Sequence, residues 1–162
     1  MERKLKKWLD ERDIIYKVHT HRAVFTVEEA KKYCSFIPGL HCKNLFLKEK
    51  TGQKRYFLVT LPSDKRLSFK DLEQILNCSK LTFAKEDELS QYLGLSTGAV
   101  SALGLVNDVS NKVIFVVDKK VWDAEIVSFH PNINTETLEL TREAFHKIIK
   151  ATGNETVIIG NK

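Results

Sequence analysis

The chain has 162 residues, 43% hydrophobic and 29% charged, with seven Gly, three Pro and no low-complexity run. This composition builds one sizeable core and excludes a disordered, fibrous or two-domain chain, so a single domain over 1–162 is expected. Twenty-six Lys and Arg against 21 Asp and Glu leave a formal charge of +5, which favours a polyanionic partner but is equally consistent with an ordinary solvated surface.

Met1 to Trp8 lack the apolar core of a secretory signal, so a cytoplasmic, reducing location is expected. Leu5, Trp8 and Leu9 recur at helical spacing and predict an opening helix ending near Asp13, followed by a strand over Ile14 to Val18. Thr26 and Glu29 have capping-box spacing and predict a helix to about Tyr33, before the Pro38-Gly39 turn. Asn44 to Leu47 and Arg55 to Leu61 read as a hairpin around Gly52, and Pro62 ends its second strand. Ser68 and Asp71 start another helix, Leu81 to Phe83 form a short strand, and a helix from Glu86 to Tyr92 follows. Leu89 to Asn107 carry no charge, yet Ser, Thr, Gln, Asn and three Gly make them too polar to cross a membrane. Val113 to Val117 is a continuous apolar run suited to a central strand buried on both faces. Strands over Glu125 to Phe129 and Thr135 to Leu140, a helix from Thr141 to Ala151 and a last strand at Val157 to Ile159 complete the reading. Interleaving without regular alternation favours an α+β fold, with a curved mixed β-sheet flanked by helices.

No Walker loop, Rossmann fingerprint, HExxH helix or nucleophile elbow is present. Cys34, Cys42 and Cys78 are odd in number and lack CxxC spacing, so free thiols are expected. His19, His21, His41 and Cys42 match no compact ligand pattern, so no metal is expected, and His19 and His21 read as exposed or capping residues. Lys43 and Asn44 set a cation and an amide before Leu45-Phe-Leu47, either as a snorkelling strand end or as donors to a ligand. Gly94 to Gly104 interleave three glycines with small residues and would let a ligand approach the backbone, or form a tight structural loop. Phe129-His-Pro-Asn-Ile-Asn134 follows a strand as a pocket wall or a polar turn.

Lys43-Asn-Leu-Phe-Leu-Lys48, Tyr56-Phe-Leu-Val59, Leu93-Gly-Leu-Ser-Thr-Gly-Ala-Val-Ser101, Gly104-Leu-Val-Asn-Asp108 and Phe129 to Asn134 are similar, in order and spacing, to the YbaK-type aminoacyl-tRNA deacylases. Within that family the likeness is to the freestanding prolyl-tRNA editing branch, and it runs from about Ile14 to Ala151. The resemblance implies a curved mixed sheet and a cofactor-free, metal-free deacylase that hydrolyses mischarged Ala-tRNA(Pro) in trans. It implies tRNA as partner, with prolyl-tRNA synthetase or other translation factors as further partners, and no membrane. It carries catalytic roles to Lys43 and Asn44, and substrate binding to Phe25, Thr26, Gly98, Val100, Ser101 and His130. Ser101-Ala-Leu-Gly-Leu105 departs from the Ser-Pro-Phe-Gly-Leu run common in relatives, and the lost proline bears on loop rigidity and pocket size.

The residues agree with what the resemblance implies. An aminoacyl ester needs donors for its carbonyl or terminal phosphate and a positioned water, which Lys43 and the Gly98 backbone can supply. No Ser-His-Asp or Cys-His set stands out, so direct hydrolysis is preferred to a covalent intermediate. Other readings stand beside this one: a deacylase for another charge such as Cys-tRNA(Pro), a non-catalytic tRNA-binding module, or an interaction protein that keeps the fold.

Overall fold

A computed structural model describes residues 1–160. In chain order the elements are α1 (Arg3–Glu11), β1 (Lys17–Thr20), α2 (Val27–Cys34), β2 (Leu40–Glu49), β3 (Tyr56–Pro62), α3 (Phe69–Leu76), β4 (Leu81–Phe83) and α4 (Glu86–Leu93). A 3₁₀ helix (Ala102–Asn107) follows, then β5 (Val113–Asp118), α5 (Lys119–Asp123), β6 (Ile126–Phe129), β7 (Glu136–Thr141), α6 (Arg142–Thr152) and β8 (Thr156–Ile159). The strands make one mixed sheet in the order β1-β7-β6-β2-β3-β5-β8, with β4 beside β2, which is the expected α+β architecture. No helix among the described residues is long and apolar enough to cross a membrane.

Strand alternation gives the sheet two apolar faces. Leu58, Val113, Phe115 and Val117 face the larger core, with Leu5 and Leu9 of α1, Leu103 and Leu105 of the 3₁₀ helix, and Phe145, Ile148 and Ile149 of α6. Phe57, Val59, Leu61 and Val116 face a smaller core closed by Leu72 of α3. α2 belongs to neither. It buries Cys34 with Val24 and Ile37 in a small satellite cluster.

Both side-chain caps read from the sequence form: Thr26 Oγ1 accepts from the Glu29 N–H at 3.1 Å, and Ser68 Oγ from the Asp71 N–H at 3.1 Å. Three expectations are corrected. The first strand starts at Lys17 because the end of α1 uses Ile14. Asp13 turns to φ 55, its N–H bonds the Asp10 carbonyl, and the Ile14 N–H bonds Leu9, a Schellman closure that buries the Ile14 side chain and leaves Ile15 outside. β5 is interior, between parallel partners β3 and β8, but the middle of the sheet order is β2. β2 starts at Leu40, so Lys43 stands inside a strand and not at its beginning.

Candidate active site

β2 positions the site by the way its two edges are used. One edge pairs with β3 from Cys42 to Lys48. The other pairs with β6 only at Leu40 and His41, and with β4 only from Leu47 to Glu49. Between those partners, Cys42 to Leu45 have no strand on that side among the described residues, and a cleft opens there. Lys43 and Asn44 sit in the gap.

A cavity of about 480 Å³ fills this cleft. Val27, Ala30, Lys31 and Cys34 of α2 form one wall, at the i, i+3, i+4, i+7 spacing that puts residues on one helix face. His41 to Asn44 of β2 form the facing wall, with Ser128 to His130 and Thr137 at one end. Phe25 and Thr26 close the mouth with Gly98. Gly98 has φ +92, and a Cβ there would come within 2.9 Å of Phe25 Cδ1, so glycine is needed both for its conformation and for the ring's seat. Thr26, as N-cap, fixes where α2 begins and hence which of its residues face inward.

The lining has a one-sided charge: it includes Lys31 and Lys43 and no Asp or Glu. Lys43 makes no ion pair or side-chain hydrogen bond among the described residues, a state open to an anionic or carbonyl ligand. Asn44 Oδ1 accepts from the Thr60 hydroxyl at 2.6 Å, which fixes the amide. His130 and His41 are each held by a backbone carbonyl, which can only accept, so the bonded ring nitrogen carries hydrogen. For His130 that is Nδ1, 3.0 Å from the Glu136 oxygen; for His41 it is Nε2, 2.9 Å from the Ile37 oxygen. Burial pushes the His130 pKa below its ordinary value, and His21 nearby adds to this, so its ring stays neutral at pH 7 with Nε2 as an acceptor. Burial pushes both cavity thiols, Cys42 most, up from the ordinary range, so neither is a thiolate nucleophile.

Seven of the eight residues singled out in the sequence line this cavity: Phe25, Thr26, Lys43, Asn44, Gly98, Val100 and His130. Ser101 does not. It is fully buried, and its hydroxyl accepts from the Leu103 N–H at 3.1 Å as the N-cap of the 3₁₀ helix. His19 and His21 pair across the sheet instead, His19 with Glu139 at 2.9 Å and His21 with Thr137 at 2.8 Å. His41, weighed in the sequence only as a metal ligand, lines the wall, as do Lys31, Ser128 and Thr137, which no motif marked. Among the described residues no group of three His, Cys, Asp or Glu is placed to hold a metal ion.

The family model for the aminoacyl-tRNA editing domain matches residues 21–148. The chain is 40% identical over 146 residues to the prolyl-tRNA editing protein ProX of Acetoanaerobium sticklandii, covering 90% of this chain and 88% of that protein. It is 36% identical over 143 residues to prolyl-tRNA synthetase associated domain-containing protein 1 of Mus musculus, covering 86% of this chain and 83% of that one. Its backbone is similar in fold to a crystal structure described as a candidate trans-editing enzyme for prolyl-tRNA synthetase, with a TM-score of 0.71, 16% identity, and coverage of 100% of this chain and 99% of the other.

Proposed function

Since this chain belongs to the aminoacyl-tRNA editing domain family, we propose that it is a trans-acting prolyl-tRNA editing deacylase that releases wrongly attached alanine from tRNA(Pro). One observation carries the reading: a lysine, Lys43, unpaired among the described residues, in a cleft whose lining holds no carboxylate. Such a cleft favours a ligand that brings negative charge or develops it, as an aminoacyl ester at the 3′ end of tRNA does.

In the reaction, water adds to the acyl carbon and the ester oxygen leaves with a proton as the ribose hydroxyl. Charge builds on the carbonyl oxygen in between. Lys43 stabilises that charge or the adjacent phosphate, and the Gly98 backbone, which lines the same cavity, can supply a further donor. Asn44, fixed by Thr60, orients the ester, while Phe25 and Thr26 limit access of bulk water. With both cavity thiols protonated, attack by water is favoured over an acyl-enzyme. The reading requires a subsite sized for a methyl group, which would turn away the proline ring by clash, a selection that a synthetase site built to admit proline cannot make against smaller alanine.

The test is deacylation of tRNA(Pro) carrying alanine, cysteine or proline. Loss of alanine alone supports the reading. Preferential loss of cysteine overturns the substrate, and survival of all three esters at high protein concentration leaves a binding module.

A further inference from the structure

The same cleft raises a question about the amino acid itself. An aminoacyl ester carries an α-amino group, and amines of this kind ordinarily titrate near 8, so at pH 7 the group is largely a cation that needs acceptors. The usual acceptor would be a carboxylate, and the lining has none. An imidazole ring nitrogen can take its place. His41 Nε2 is committed as a donor to the Ile37 carbonyl, so in the ring's neutral tautomer Nδ1 holds the lone pair, and Nδ1 takes part in no hydrogen bond among the described residues.

His41 and Lys43 are two residues apart on β2, so their side chains leave the same face of the strand about 7 Å apart. That spacing fits the two ends of one small group. The α-amino group is one carbon from the ester carbonyl, so its acceptor must stand close to the donor of that carbonyl. His130, just beyond the end of β6, also lines the cavity with a free ring nitrogen, but it does not share a strand face with Lys43.

We propose that His41 is a specificity residue whose Nδ1 accepts a hydrogen bond from the substrate's α-amino group while Lys43 holds the carbonyl side. The proposal rests on the editing reading above and adds what recognises the amino acid as an amino acid. It makes the enzyme selective for aminoacyl over simple acyl esters, independent of side-chain size.

The experiment compares tRNA(Pro) carrying alanine with tRNA(Pro) carrying propanoate, which has the same carbon skeleton without the amino group. For the wild-type protein, kcat/KM should be about 10- to 100-fold higher on the alanyl ester, the range of one hydrogen bond to a charged group. Two variants separate recognition from support of the loop. His41→Asn places its amide oxygen near the position of Nδ1 and should keep most of that ratio. His41→Gln reaches toward Ile37 with its amide but offers nothing at Nδ1, so its ratio should fall to near one. Each ratio is internal to one folded variant, so a general loss of stability does not move it. A Gln variant that keeps the wild-type ratio, or an Asn variant that loses it while Gln keeps it, shows that His41 only holds the Ile37 carbonyl and overturns the proposal. A wild-type ratio near one overturns it too. If wild-type protein cleaves neither ester, the editing reading fails and the proposal falls with it.

Discussion

β2 carries a cavity at each end, and the two treat charge in opposite ways. At the Glu49 end, a space of about 540 Å³ is lined by Lys48, Glu49, Lys50, Lys54, Tyr56, Thr82 and Glu88. Its two acids are heavily satisfied. Glu49 accepts from the Arg55 guanidinium at 3.0 and 3.1 Å, the Arg55 N–H at 2.8 Å and the Ser79 N–H at 3.0 Å. Glu88 accepts from Lys48 at 2.7 Å, from the Lys85 N–H at 2.9 Å and from the Tyr56 hydroxyl. Hydrogen bonds from the Arg55 guanidinium outweigh burial and hold the Glu49 pKa down to about 2. Burial raises that of Glu88, but the bonds from Lys48, Tyr56 and Lys85 bring it to about 2. At the Lys43 end the volume is similar, no acid lines the space, and the lysine has no partner among the described residues. The size of a hollow therefore says little; an unspent polar group says more. Charges satisfied within the chain stabilise it, and charges left open are available to a ligand.

The largest effect should come from closing that difference at Lys43. Lys43→Ala is expected to lower deacylation of Ala-tRNA(Pro) by at least about 100-fold, as for removal of one oxyanion donor, with little change in melting temperature. A single-turnover assay beside a thermal melt checks both halves.

At the other end the effect should fall on stability. Glu49→Gln breaks a buried, bidentate pair and is expected to cost up to about 3 kcal/mol in a denaturant titration, while activity per folded molecule persists. The sign of the pH dependence follows. The Glu49 and Glu88 pKa values are lowered on folding from an ordinary 4.5 to about 2, so their contribution is full above about 4.5 and is lost as pH falls toward 2. Melting temperature measured from pH 7 downward should drop through that window, and less steeply in Glu49→Gln.

Gly98→Ala should act between the two. The positive φ and the 2.9 Å approach to Phe25 together cost about 1–2 kcal/mol. The displaced ring unseats the mouth of the cleft, so KM should rise severalfold with a modest fall in melting temperature.

The smallest effect concerns the surface. tRNA binding should weaken severalfold as salt rises from 50 to 200 mM, through release of counterions from phosphates. An affinity that stays flat with salt would leave the +5 charge without a role in binding.

How much of this the sequence disclosed differs between elements. Local chemistry was legible: the Thr26 and Ser68 caps, the hairpin around Gly52 and the bounds of β4 all depend on residues within a few positions of one another. Features decided by distant partners were not. Leu40 to Lys43 extend β2 because Cys42 and Lys43 pair with Pro62 and Leu61, while Leu40 and His41 pair with Val127 and Ser128. The 3₁₀ helix and five-residue α5 are too short for a periodic signal. Lys43 was flagged by the apolar residues after it, and Gly98 and His130 by their loops, but nothing local announced that α2 would swing Lys31 and Cys34 onto the same cavity. Ser101 shows the converse. The family resemblance carries a substrate contact to it, whereas its hydroxyl is used inside the fold.

The most direct test of the contrast between the two ends of β2 is one paired measurement: the single-turnover rate on Ala-tRNA(Pro) and the melting temperature, taken together for Lys43→Met and Glu49→Gln. Methionine keeps most of the lysine stem and removes only the charge. The account predicts a crossed result, with Lys43→Met inactive at wild-type stability and Glu49→Gln destabilised at near wild-type rate. A Lys43→Met protein that deacylates at near wild-type rate would contradict it, and would make that lysine a solvated strand residue like any other.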